Sequence, residues 1–498
     1  MIEDVPSPQP DAARTTAHRI VVNTFYRTVG DLGAKIASVA LYVVMARRLG
    51  ETQFGVFTFA ISFATLVTTL GNFGQDRLLT REVARDTEQV HGYFANLFGL
   101  ALAVSVPVLA VATWILTLTG TAATTRSVVI LLGLAIIAEL LANMCFAVFQ
   151  SYERLGFIAI VLISQRLITA VVGVVALLHG ANVTAIAAIY LGGAALSLVL
   201  SLLLLYGRVV RPRLQIQVRT WPRLMKAAIP IGIASVFSAI FFRVDTVMLA
   251  AFKSQAAVGL YGAAYRLLEA TLFLSWSVGA AVYPVFARLN RATQPSVQDV
   301  YERSIKLVVA LTLPIAVGTA VMAGHVLGLF YGSDYVPGHN ALVLLAPTIA
   351  LYPVVYISTH LLVSQNRERV LTYVFAVIMV ENVLANLVLI PAFSLNGAAL
   401  STSISELLVT VAFVYYALRS TGRINWARTL FGPVVASATA GAVMYAARTN
   451  VWLGAGLGVL VYAGVLVGIE RTVYPDELAF MRSIVRAGRG DGDVIPEV

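Results

Sequence analysis

The sequence predicts an all-α integral membrane protein of about fourteen transmembrane helices, arranged as two parallel six-helix bundles with two further helices behind them. Three observations predict this class. Of 498 residues, 59% are hydrophobic and 12% charged, with mean hydropathy +0.83, whereas a soluble domain has about a quarter of its residues charged. Apolar runs of spanning length recur along the chain with short polar breaks between them. Lys and Arg fall almost entirely on alternate breaks, as they do when one set of loops faces the cytoplasm.

Residues 1–19, MIEDVPSPQPDAARTTAHR, form a polar tail without the apolar centre of a cleavable signal peptide, so the first span is expected to act as its own insertion signal. Spans are then expected near 20–45, 54–75, 93–116, 127–149, 157–178 and 184–206, which together make an N-terminal bundle over 20–206. A basic linker, 207–226, follows. A second bundle over 227–418 is expected from spans near 227–250, 258–287, 304–328, 340–362, 370–391 and 397–418. Two appended spans, near 429–447 and 451–470, precede a tail at 471–498. The longest connections are 207–226, 76–92 and 288–303, so no extramembrane domain is expected.

With the N-terminus inside, the inside segments carry 25 Lys and Arg and the outside loops only five: Arg47, Arg48, Arg126, Lys253 and Arg448. This bias predicts cytoplasmic N- and C-termini. It also accounts for the net charge of +10 without nucleic acid, which is not expected as a partner. The single cysteine, Cys145, lies in an apolar run and excludes an intramolecular disulfide. No phosphate-loop motif occurs and the six histidines are scattered, so neither ATP consumption nor a histidine metal site is expected. No cofactor is expected.

Weak internal repetition links the halves. A shift of 204 lays Phe54, Gly55, Val56 and Phe57 over Val258, Gly259, Leu260 and Tyr261. A shift of 215 lays Glu153 and Arg154 over Glu368 and Arg369, and one near 211 lays Ala187 and Ala188 over Ala398 and Ala399. Partners are six spans apart and share an orientation, which implies parallel repeats about an axis along the membrane normal.

The residues most costly to hold in a bilayer are the candidates for function. In the first span Arg27, Asp31 and Lys35 recur every four residues and so share one stripe of a helix, roughly 10–22 Å beyond Ile20. Glu139, Arg166, Arg243, Asp245, Arg266, Glu269, Glu381 and Glu406 lie in later spans, with Asn23, Tyr26, Gln165, Tyr265, Asn382 and Asn386 as polar companions. Arginine suits phosphate because its planar fork binds oxygens bidentately and stays charged when desolvated. Asp31 and Glu269 serve equally well as internal counter-ions to Arg27 and Arg266, at i, i+4 and i, i+3.

The stretch NTFYRTVGDLGAKIASVALYVVMARRLGETQFGVFTFA (23–60), then GNFGQDRLLTREVAR (71–85), resembles the polysaccharide and O-antigen flippases of the multidrug/oligosaccharidyl-lipid/polysaccharide exporter superfamily. The resemblance implies a transporter, not an enzyme, that moves polyprenyl-diphosphate-linked oligosaccharide from the cytoplasmic to the outer leaflet by alternating access, in the cell (inner or plasma) membrane. It implies diphosphate binding by Arg27, Lys35, Arg166, Arg243 and Arg266, with Asp31 beside them. Asp31, Asp245, Glu269 and Glu381 become candidates for ion coupling. Lipid-linked oligosaccharide and membrane lipid are the expected partners, glycan polymerases or transferases are candidate ones, and a monomer is expected. The alternative is a multidrug or cation antiporter of the same superfamily, with Asp31, Glu139 or Glu381 as its ion site. A membrane glycan polymerase would need larger outside loops, and a scramblase or scaffold would not need paired intramembrane charges.

Overall fold

The computed structural model describes residues 10–213, 215–288 and 296–473, with side chains described from residue 37 onward apart from a few positions. Among the described residues the fold is all-α, with no strand. The helices are α1 (Pro10–Asn72), α2 (Gln75–Arg85), α3 (Val90–Leu118), α4 (Ala123–Ser151), α5 (Leu155–Leu178), α6 (Val183–Leu204), α7 (Trp221–Phe252) and α8 (Gln255–Arg288). They continue as α9 (Val297–Val321), α10 (Ala323–Tyr331), α11 (His339–Ser364), α12 (Glu368–Phe393), α13 (Leu395–Thr421), α14 (Trp426–Ala446) and α15 (Val451–Thr472). Twelve of them, among the described residues, are long and apolar enough to cross a membrane. The expected fourteen differ because they divide α1 and include the 34-residue α8.

The first two expected spans run together in α1, a 63-residue helix broken only at Gly50, whose φ of 73° and ψ of 170° are non-helical. A side chain there would meet its own backbone, so glycine is the residue that allows the bend. Caps close several other helices where the sequence supplies short polar side chains. Asn182, Asn425 and Asn450 each accept from a backbone N–H one turn into α6, α14 and α15. Ser296 and Asp299 form a reciprocal capping box at α9. Within the bundle, hydroxyls such as Thr58, Thr68, Ser201 and Thr312 donate to the carbonyl four residues back. That satisfies them where neither water nor a neighbour is at hand.

The loop expected over 76–92 is corrected by the structure. It folds as α2 because Leu78, Leu79 and Val83 lie on one face and are buried, while Arg77 and Arg81 stay on the other. This amphipathic pattern at helical spacing is too short to read as a span.

The chain divides into two compact units, one up to Gly259 and one from Leu260. In the first, α1 packs on α3, α4, α5 and α7, and α4 packs on α6. Its core gathers Leu78, Leu79 and Val83 of α2, Phe94 and Leu97 of α3, and Met144 through Phe149 of α4. Residues related by the 204-residue shift also meet within this unit. A side chain on Gly55 would run into the Gln255 carbonyl, and one on Gly259 into the Glu51 carbonyl, so the contact is reciprocal under the same shift.

In the second unit α11 packs on α9 and α13, α12 on α13, and α14 on α9 and α15. Tyr301 of α9, fully buried, bonds through its hydroxyl to Ser358 of α11 at 2.8 Å. The last helix is held by a buried ion pair, Lys306 Nζ to Glu470 Oε2 at 2.8 Å, and by the Tyr462 hydroxyl donating to the Ala310 carbonyl at 2.5 Å.

Candidate functional site

The side chains of Arg27, Asp31 and Lys35 lie outside the described residues, although their backbone belongs to α1. The first charged site that the structure resolves is therefore on α4 and α5. Arg166 Nη2 stands 3.7 Å from Glu139 Oε1, with side-chain exposures of 37% and 34%. The neighbouring Gln165, buried, donates from Nε2 to the same carboxylate oxygen at 2.6 Å. Glu139 thus bridges two helices while a third of its surface stays open to a ligand.

Glu139 opens onto a cavity of about 290 Å³ in the first unit, formed by the end of α1, the start of α2 and the middles of α4 and α7. The turn between α1 and α2 is fixed by contact with α7. Gly74 has φ 78°, and a side chain there would come within 2.7 Å of the Gly232 nitrogen. A side chain on Gly232 would run into the Phe73 carbonyl, so two glycines let backbone meet backbone. Phe73 is itself held at φ 39°, a conformation that L residues adopt at a cost, and lines the cavity.

Asn72 and Asp76 face one another across this turn, Nδ2 donating to Oδ1 at 3.2 Å. The other side-chain atom of Asn72, Oδ1, is buried without a hydrogen-bond partner, and so is the Ser235 hydroxyl of α7. Both residues line the cavity, with Arg77, Asp76, Glu139 and Asn143. Arg77 is exposed. The site is thus polar, carries both signs of charge, and holds two groups whose burial is uncompensated.

On α7, Asp245 is 1% exposed and accepts from the backbone N–H and hydroxyl of Thr246 at 2.6 and 3.2 Å. Arg243 lies two residues before it, half-buried. In the second unit, Arg266 and Glu269 of α8 form an ion pair at 2.5 Å, one helical turn apart. Glu381 of α12 accepts from the Ser405 hydroxyl of α13 at 2.7 Å. Ser405 accepts in turn from Asn382 Nδ2 at 3.0 Å, and Asn386 donates to Asn382 Oδ1 at 3.0 Å. Glu406 is buried with its Oε1 unpartnered.

The structure therefore joins Arg166 to Glu139, Arg266 to Glu269, and Glu381 to the Asn382 and Asn386 pair. Among the described residues no cluster of His, Cys, Asp and Glu is placed to hold a metal ion. The cavity residues Asn72, Asp76, Arg77, Asn143 and Ser235 were not among the sequence candidates. The signal for the first three lay in GNFGQDR, read as the close of a span rather than as a lining.

Residues 20–290 match the model of a family described as polysaccharide biosynthesis protein, and residues 230–388 match the MatE family model. Among curated proteins, the chain is similar to the probable low-salt glycan biosynthesis flippase Agl15 of Haloferax volcanii. The two are 22% identical over 407 residues, which span 82% of this chain and 83% of that one. Among solved structures, the lipid II flippase MurJ in an inward closed conformation superposes with TM-score 0.74 at 12% identity, over 89% of this chain and 98% of that one. An inward-facing multidrug resistance MATE family transporter of the MOP superfamily superposes with TM-score 0.60 at 14% identity, over 78% and 94%. The fold is that of these transporters, and, since the family model spans more than half of the sequence, the chain belongs to the polysaccharide biosynthesis protein family.

Proposed function

We propose that this chain is a transporter, not an enzyme, that moves polyprenyl-diphosphate-linked oligosaccharide from the cytoplasmic to the outer leaflet by alternating access. The observation that carries the reading is the family match over residues 20–290, a stretch that holds the charged stripe of α1, the Glu139–Arg166 pair and the cavity beside it. The likeness to a glycan biosynthesis flippase over most of both chains supports it.

Both termini are cytoplasmic in this reading, as the one-sided distribution of Lys and Arg supports. The two six-helix halves, 20–206 and 227–418, work as parallel repeats, with 429–470 appended. The reciprocal contact of Gly55 and Gly259 supports that pairing. Arg27, Lys35, Arg166 and Arg243 bind the diphosphate. Arg266, closed on Glu269 at 2.5 Å, contributes less to ligand and more to its own helix. Asp31, Asp245, Glu269 and Glu381 are the groups through which an ion gradient couples. The protein acts as a monomer alongside the transferases or polymerases that make and use its cargo. The second reading, a multidrug or cation antiporter, is favoured by the MatE match over 230–388.

Arg27 provides the test. A bidentate guanidinium–phosphate contact in a partly dry cavity contributes about 1.5–3 kcal/mol. Arg27→Ala abolishes or severely reduces export at matched protein levels, and Arg27→Lys restores it only in part because lysine lacks the fork. If Arg27 merely neutralises Asp31, the Arg27→Ala, Asp31→Ala double variant exports fully, and that result defeats the ligand role.

A further inference from the structure

The basic segment 208–226 carries Arg208, Arg211, Arg213, Arg219, Arg223 and Lys226 and no acidic residue. It is not a loose tether. Asn96 of α3, itself buried, holds it at three points: Nδ2 donates to the Gln215 carbonyl at 3.1 Å, and Oδ1 accepts from the Gln217 backbone N–H at 2.7 Å and from the Trp221 indole at 3.3 Å. A fourth bond runs from the Arg213 backbone N–H to His91 Nδ1 at 3.3 Å. A side chain on Gly99 would meet the Trp221 ring at 3.3 Å and Ile216 at 3.7 Å. Gly99 lies roughly 13 Å along α3 from Val90, so the segment is a strap laid back along the first turns of a spanning helix.

All six cationic side chains of the strap are exposed. Arg211 donates from Nε to the Tyr206 carbonyl, whereas Arg208, Arg213, Arg219, Arg223 and Lys226 have no side-chain partner among the described residues. Between them Ile216 and Val218 are 58% and 60% exposed. Nucleic acid would answer the charges and leave these apolar side chains in water. A bilayer interface answers both, because apolar side chains enter the acyl boundary while long cationic ones reach back to the phosphates. We propose that the strap is a binding surface for anionic phospholipid of the cytoplasmic leaflet, with Arg213, Arg219, Arg223 and Lys226 on the headgroups and Ile216 and Val218 against the chains. Asn96 is the positioning residue that fixes them. The surface goes beyond the transport reading and does not depend on the cargo.

The test is native mass spectrometry of the full-length protein in detergent, titrated in parallel with dioleoyl phosphatidylglycerol, dioleoyl phosphatidylcholine and undecaprenyl diphosphate. The wild-type protein retains phosphatidylglycerol more tightly than phosphatidylcholine. Arg219→Gln with Arg223→Gln changes two exposed side chains that have no partner, so the protein folds as before. This pair weakens phosphatidylglycerol binding about fivefold for each charge removed and leaves phosphatidylcholine binding unchanged. A control pair, Arg367→Gln with Arg369→Gln between α11 and α12, keeps the wild-type affinity for phosphatidylglycerol. Equal affinity of the wild type for the two phospholipids overturns the surface, because no headgroup is then recognised. An equal loss in the two pairs overturns it too, reducing the strap to diffuse surface charge. Loss of undecaprenyl diphosphate alone in the strap pair assigns these cations to the cargo instead. None of these failures touches the transport reading, which export assays decide separately.

Discussion

Replacing Glu470 by Gln removes the carboxylate to which the Lys306 ammonium is bonded. The pair spans 2.8 Å between α9 and α15, with side-chain exposures of 12% and 8%. Glu470 Oε1 has no hydrogen-bond partner, and a side chain on Gly432 of α14 would come within 2.9 Å of it, so the carboxylate lies close against α14 as well. Breaking such a pair from one side costs about 3–5 kcal/mol. At about 2–4 °C per kcal/mol for a unit of this size, the apparent Tm of the purified full-length protein falls by about 10 °C. Replacing both partners by apolar side chains, Lys306→Met with Glu470→Leu, removes the charges together and their desolvation with them. That variant stays close to the wild-type Tm or exceeds it. The assay is thermal unfolding in detergent at a fixed scan rate, with proteolysis of the α14–α15 hairpin as a local readout. A single variant within about 2 °C of wild type, or a double variant less stable than either single one, refutes the claim that this pair anchors the appended helices.

Two further predictions concern topology and the α1–α2 turn. Cysteines placed at Arg211 and Thr421 react with a membrane-impermeant thiol reagent only from the cytoplasmic side, and one at Ser333 only from outside; outside labelling at Arg211 inverts the orientation. Gly232→Ala forces the Phe73 and Gly74 backbone aside at a cost of about 1–3 kcal/mol, seen as a lower apparent Tm together with reduced transport, and wild-type values for both contradict the close packing of this turn.

Helices are readable in this sequence because a bilayer admits little else: each run of about twenty apolar residues must satisfy its own backbone. That is why expected spans such as 157–178 and 184–206 fall on α5 (Leu155–Leu178) and α6 (Val183–Leu204). The bend at Gly50 was not legible, since the polar break in RRLGETQ reads equally well as a loop between two spans. Nor was α2, whose buried face consists of three apolar side chains amid charges. Intramembrane charges were legible one by one, because each is expensive in an apolar run. Their pairings were less so. Arg266 and Glu269 were within reach because they share a helix, whereas Arg166 finds Glu139 across a helix–helix contact between α5 and α4 that no local spacing encodes. The cavity depends on Gly74 meeting Gly232 across more than 150 residues, and its orphaned polar atoms, on Asn72 and Ser235, exist only once the helices are packed.

The central claim is best tested by reconstituting the purified protein in sealed vesicles with polyprenyl-diphosphate-linked oligosaccharide in one leaflet, and following its arrival in the other with an impermeant glycosidase or lectin. Protein-dependent translocation of that lipid, lost in Arg27→Ala, is the predicted result. Translocation no faster than in protein-free vesicles under any imposed ion gradient, with transport of a cationic dye by the same preparation, contradicts the account and establishes the antiporter in its place.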